Sequence, residues 1–95
     1  MQEILTAICD STRRAALAVI WDGGEHCVCE LMQRLDASQS RMSRHMKVLR
    51  DAGLVLDRRD AQWVRFRQNP DLAPEIKAVI TAVLNAEQIF EQEMA

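Results

Sequence analysis

Cys27 and Cys29 stand one residue apart in the run His26-Cys27-Val28-Cys29-Glu30-Leu31, and Ser38-Gln39-Ser40-Arg41-Met42-Ser43-Arg44-His45 follows closely. Neighbouring thiols are the donor type that soft metals and metalloids take up as thiolates. The second run is polar and cationic, and its side chains suit the edges of DNA. Gln pairs with adenine, Arg with guanine, and Ser serves either base or phosphate. Together the runs suggest a switch in which thiols take a ligand and thereby change affinity for DNA. Each run also has a plain reading. Free cysteine is a common small core residue, and polar residues often do no more than solvate a helix.

The surrounding elements must place both runs. Ile4, Leu5 and Ile8 recur at helical spacing, giving a short first helix. Asp10-Ser11-Thr12 is a cap cluster for a second helix whose apolar residues run from Ala15 to Trp21, and Asp22-Gly23-Gly24 stops it. Glu30 to Leu35 is expected as a short third helix with Cys27 and Cys29 at its start. After the turn Asp36-Ala37-Ser38, with Ser38 as N-cap, a fourth helix runs from about Gln39 to Ala52. Met42, Met46 and Leu49 face the core, so Gln39, Ser40, Ser43, Arg44 and Lys47 face outward. This is a helix-turn-helix over about 30–52. Val55 to Arg59 and Trp63 to Arg67 read as two strands joined at Asp60-Ala61-Gln62, a wing over about 55–68. From about Pro74 a last helix carries Ile76, Val79, Ile80, Val83 and Leu84, with Ile89 and Phe90 beyond.

The fold expected is therefore mainly α with a small β-hairpin: one winged helix-turn-helix domain over residues 1–95. Apolar helices at about 2–9 and 74–93 are left to form a homodimer interface. A two-fold dimer would set two reading helices about one DNA turn apart.

Composition narrows the function. The chain has 95 residues and a formal net charge of −2. Residues 33–67 nonetheless carry net +5, leaving −7 for the rest, a local cationic face of the kind that meets DNA. No apolar run approaches the length of a membrane span. The N-terminal residues lack the pattern of a signal peptide, so three reduced thiols and a cytoplasmic location are expected. A thiol oxidoreductase would need Cys-x-x-Cys on a βαβ scaffold, and neither is present. No catalytic residues are expected, and the chain is read as a non-enzyme.

These motifs carry a resemblance. The chain resembles the ArsR/SmtB family of metal- and metalloid-responsive repressors, and most closely its arsenical-resistance branch. The matching stretches are Asp10-Ser11-Thr12-Arg13, Cys27-Val28-Cys29-Glu30-Leu31, Ser38-Gln39-Ser40-x-x-Ser43-Arg44-His45, Leu49-Arg50-x-x-Gly53-Leu54 and Trp63-Val64-x-Phe66-Arg67. The resemblance implies a homodimeric repressor that leaves double-stranded operator DNA when As(III) or Sb(III) binds the Cys27 and Cys29 thiolates. Three departures stand out. Met32 lies where the branch commonly has a third cysteine. Asp60-Ala61-Gln62 replaces a glycine-bearing wing tip, which should make the tip less tight. The last helix has no His or Cys, leaving Glu87, Glu91 and Glu93 as weak ligands at most.

The candidate DNA contacts are Ser38, Gln39, Ser40, Arg41, Ser43, Arg44, His45 and Lys47 in the reading helix. Arg58, Arg59, Gln62 and Arg65 are the candidates in the wing. His45 is equally readable as turned partly inward. Trp63 reads as half-buried wing structure, and His26 as a solvated loop residue. Cys9 is read as core packing, with a role as missing third thiol as its alternative. An i, i+2 pair on a regular helix points about 200° apart, so one ion held by both cysteines calls for a frayed or unwound helix start. The helix N-terminus should lower the thiol pKa values. The alternatives are a repressor responsive to Cd, Pb or Zn, a thiol-redox sensor on the same fold, and, in another class, a winged-helix protein-interaction module.

Overall fold

The computed structural model describes the backbone of residues 1–94 and the side chains of residues 1–88. The side chains of Ile89, Phe90, Glu91 and Glu93, named above for the apolar stripe and for weak ligation, lie outside the described residues. The elements in order are α1 (Gln2–Ala7), α2 (Ser11–Ile20), β1 (His26–Cys27), α3 (Val28–Leu35), α4 (Gln39–Asp51), β2 (Val55–Asp60), β3 (Trp63–Gln68) and α5 (Pro74–Met94).

Caps set the helix starts. The Asp10 carboxylate accepts from the Arg13 amide at 3.0 Å and opens α2. The Ser38 hydroxyl accepts from the Arg41 amide at 3.3 Å and opens α4. Such a cap contributes about 0.5–2 kcal/mol. Gly53, at φ 82°, ends α4, since only glycine takes that conformation at no steric cost.

One core joins the elements. Leu17 and Ile20 of α2, Leu31 of α3, and Met42, Met46 and Leu49 of α4 are fully buried, with Leu54, Val55 and Ile80. Burial of each large apolar side chain contributes about 1.5–3 kcal/mol. The α4 stripe is the one its periodicity predicts.

The β structure differs from a plain hairpin. The sheet has three antiparallel strands in the order β1-β3-β2. β1 pairs His26 with Phe66 and Cys27 with Arg65. A two-residue strand has no period to read, so it escapes pattern analysis. The wing tip is also tighter than expected. Asp60 pairs with Trp63, leaving a two-residue turn of Ala61 and Gln62. Ala61 sits at φ 56°, a left-handed conformation that costs a non-glycine residue about 1–2 kcal/mol.

α5 is about 30 Å long. It is tied to its own chain by buried Ile80, by the Trp21 indole donating to the Thr81 hydroxyl at 2.8 Å, and by Arg14 paired to Glu87 at 3.0 Å. Val79 of α5 and Leu5 of α1 remain exposed. No described helix is long and apolar enough to cross a membrane.

Candidate thiol site and nucleic-acid interface

Cys27 lies where strand becomes helix. Its backbone is extended, with φ −70° and ψ 145°, and it serves as the N-cap of α3. Its sulfur accepts from the Cys29 amide at 3.4 Å. That bond sets the Cys27 sulfur over the backbone of Cys29, at the first turn of α3. Cys27 stands outside the helix, and its extended backbone turns the sulfur back over the first turn, so the two cysteines are not an i, i+2 pair on a regular helix.

The expected acidification is reversed at Cys29. Its pKa is raised, first by the hydrogen bond to Cys27, then by burial and by the prospect of a second negative sulfur. The amides of Glu30 and of Cys29 itself pull the other way and lose. Cys27 is buried and Cys29 exposed, so the pair opens to solvent on one side. Cys9 is exposed at the end of α1, not packed in the core as expected. No cluster of three or more His, Cys, Asp or Glu able to hold a metal ion occurs among the described residues. Cys9 does not join Cys27 and Cys29 in such a cluster.

His26 is not a solvated loop residue. It is buried at 8% exposure. Its Nδ1 faces Glu30 at 2.9 Å, and its Nε2 faces both Asp22 oxygens at 2.9 and 3.0 Å. Carboxylates only accept, so both ring nitrogens donate and the ring is an imidazolium. Burial works to lower its pKa, but the bonds to Asp22 and Glu30 outweigh it and raise it. Glu30 also holds Arg34 at 2.9 Å. This chain of charges pins the end of α2 to the first turn of α3, on either side of the thiols.

In the reading helix, Gln39, Ser40, Arg41, Ser43, Arg44 and Lys47 are all exposed, as is the cap Ser38. Two hollows flank the helix. On the wing side, a groove of about 220 Å³ runs between Gln39, Ser43 and Lys47 of α4 and Gln62 and Val64 of the wing, above buried Val28 and Phe66. On the other side, Arg41 and Arg44 meet Arg13 around a cavity of about 300 Å³. His45 turns inward there. Its Nδ1 accepts from Arg13 at 3.2 Å, and it lies 4.0 Å from Asp10. Of its two readings, the structure places the inward one. Arg13 was not among the candidate contacts, although it closes the Asp10-Ser11-Thr12-Arg13 motif. It also donates to the carbonyls of Ala7 and Thr6, at 2.6 and 3.4 Å, so it joins α1 to α4.

The wing cations fare differently. Arg58 holds Glu25 through two bonds of 2.8 and 2.7 Å. Arg65 holds Asp60 at 2.8 Å and lies across the sheet from Cys27. Asp60 keeps Arg65 firmly protonated, with the nearby Cys27 adding to it. Arg50, at the end of α4, is held by Asp57 at 2.9 Å. Arg59 is exposed, as are Gln62 and Trp63, and Arg59 has no ion pair among the described residues. The charge count over 33–67 therefore overstates the free positive charge in the wing.

Comparison with known proteins places this arrangement. Residues 10–56 match the family model described as "Bacterial regulatory protein, arsR family", the stretch from the α2 cap through the reading helix into β2. The arsenic resistance transcriptional regulator ArsR1 of Pseudomonas putida is 40% identical, over 93% of this chain and 73% of that protein. The arsenical resistance operon repressor of Escherichia coli K12 is 35% identical, over 90% of this chain and 74% of that one. The structure of HlyU from Vibrio cholerae superposes with a TM-score of 0.75 at 34% identity, covering 88% of this chain and 87% of that one. With a winged helix-turn-helix, an exposed polar reading helix and no enzymatic kin among these, the chain belongs to the arsR family of DNA-binding transcriptional regulators.

Proposed function

We propose that this protein is a repressor that binds operator DNA as a two-fold homodimer and is released when As(III) or Sb(III) is held by the Cys27 and Cys29 thiolates. One observation carries the reading: Cys27 caps α3 with its sulfur on the Cys29 amide, which sets both cysteines at one helix start, between the strand that pairs with the wing and the helix that supports the reading helix. The names of the arsenical-resistance relatives favour a trivalent metalloid over Cd, Pb or Zn. A trivalent metalloid forms strong bonds to thiolate sulfur. The third position falls to Cys9 of a second copy or to a small thiol from solution.

On the DNA side, Gln39 and Arg44 are the base-reading residues, with Ser40 and Ser43 beside them. Ser38, Arg41, Lys47, Arg59 and Gln62 meet phosphate or sugar. Arg58 and Arg65 would have to leave Glu25 and Asp60 to contribute, and His45 positions α4 through Arg13. The dimer forms through α1 and α5. Leu5 and Val79 are exposed there, beside partly buried Ile4, Ile76 and Val83.

The test is DNA-binding anisotropy, on a duplex selected from a random pool, against arsenite, antimonite, Cd, Pb, Zn and an oxidant. Arsenite and antimonite release the DNA on this reading. Release by the oxidant alone would make the protein a redox sensor, and release by a divalent ion alone would change the inducer. Sedimentation at micromolar concentration reads the dimer, and a monomer would overturn the two-half-site arrangement.

A further inference from the structure

Val28 is the one residue between the two cysteines, and it lines the groove between the reading helix and the wing. It is 3% exposed and lies in the floor of the wing-side groove, beside Phe66 and beneath Gln39, Ser43 and Val64. It is the first residue of α3. The residue before it is paired to β3 of the wing at Arg65, and the residue after it has its amide held by the Cys27 sulfur. One short peptide thus touches the thiols, the wing and the reading helix.

We propose that Val28 is the positioning residue through which ligand occupancy at Cys27 and Cys29 reaches the reading helix. This rests on the reading of the thiol pair given above. When As(OH)3 binds, each thiol gives its proton to a departing hydroxide, two waters leave and an As–S bond forms at each sulfur; the new bond redirects the Cys27 sulfur away from the Cys29 amide it now caps. The first turn of α3 must then readjust around Val28, since the cysteines on either side are pinned by the ligand. Interiors are close-packed and transmit such displacements. Val28 shares the core with Phe66 and Val64 and forms the floor of the groove that Gln39 and Ser43 wall, so its movement shifts the wing relative to the reading helix. The ligand shifts the DNA equilibrium only as far as it favours that altered packing. A side chain that no longer fills the groove floor leaves the thiols able to bind but unable to push.

The experiment compares Val28→Ala with the unaltered protein. Arsenite binding is read directly, by the ultraviolet absorption of arsenic–sulfur bonds, and DNA affinity by anisotropy with and without arsenite. The unaltered protein should lose affinity by about 5- to 150-fold. Val28→Ala should still take up arsenite, yet lose less than about threefold, a fraction of that coupling. Val28→Ile, which keeps the branched bulk, should restore release. A purely structural role would lower both DNA affinities together and leave their ratio unchanged. If Val28→Ala were released as fully as the unaltered protein, Val28 would not be the coupling residue, while the thiol reading would stand. If the unaltered protein bound no arsenite, or bound it without release, the thiol reading would fall and this proposal with it. A second measurement needs no substitution at Val28. The methyl resonances of Val28 and Val64 should shift on arsenite addition, and not in Cys27→Ser/Cys29→Ser. Unmoved Val28 methyls in the arsenite-bound protein would overturn the proposal.

Discussion

The reading helix and the wing carry the same kinds of residue and use them differently. Arg41, Arg44 and Lys47 of α4 are exposed, with no carboxylate partner among the described residues. In the wing, Arg58 and Arg65 are tied to Glu25 and Asp60, while Arg59 and Arg67 are exposed with no ion pair among the described residues. A cation held by a carboxylate gives up that bond before it neutralises a phosphate, so its net gain on DNA is small. Free charge, not counted charge, marks the surface that meets DNA. On the proposed reading, the helix offers its cations to DNA, while half of the wing arginines hold the wing and the thiol strand together.

The largest effect belongs to the helix. Gln39→Ala and Arg44→Ala should each weaken specific operator binding by about 1–3 kcal/mol and relax the sequence preference. Competition between the selected duplex and unrelated DNA measures both. Unchanged affinity in both variants would remove α4 from the role of reader and erase the contrast with the wing.

Next comes the support beneath the helix. Asp10→Ala removes the α2 cap and should destabilise the fold by about 0.5–2 kcal/mol. The pH dependence has a definite sign. The Asp10 pKa is lowered, chiefly by the Arg13 amide it accepts from, with burial opposing and His45 adding to the lowering. Its contribution is therefore present above the ordinary carboxylate pKa and is lost as pH falls through the lowered folded value. Thermal unfolding across acid pH should converge for the two proteins at low pH; a gap that persisted below that value would mean the carboxylate charge is not what stabilises the cap.

The wing can be probed by salt. Arg59→Ala should reduce the slope of log affinity against log salt by about one. Arg58→Ala and Arg65→Ala should change it by less than half as much. Equal losses from all three would show that the wing ion pairs open on DNA, and the two regions would no longer differ. The smallest effect lies at the wing tip. Ala61→Gly should stabilise the protein by about 0.5–1 kcal/mol, as relief of the left-handed strain exceeds the added chain entropy. A lower melting temperature for this variant would contradict the strain at Ala61.

Much of this was legible in the chain before any coordinates. The α4 stripe of Met42, Met46 and Leu49, the Ser38 cap and the Gly53 stop each follow from local rules of spacing and backbone conformation. The resemblance placed the thiols and the reading helix in one family. The partnerships were not legible. His26 looks like loop, yet Asp22 and Glu30, four residues to either side, enclose it. Arg58 and Arg65 look like phosphate contacts until Glu25 and Asp60 are seen beside them. The two-residue strand β1 has no periodicity, yet it joins Cys27 to the wing and takes it out of the helix that holds Cys29. The Arg58–Glu25 pair and the β1–β3 pairing depend on which distant segments meet, and the local partners of His26 and Arg65 depend on how the turns between them fold; residue spacing encodes neither.

The central claim is that the Cys27–Cys29 pair is the receptor through which a trivalent metalloid removes this protein from DNA. The most direct measurement is a titration of the protein–duplex complex with arsenite, for the unaltered protein and for Cys27→Ser/Cys29→Ser. The account predicts that both proteins bind the duplex with similar affinity, and that arsenite releases only the unaltered one. Arsenite-driven release of the doubly substituted protein, at the concentrations that release the unaltered one, would contradict it.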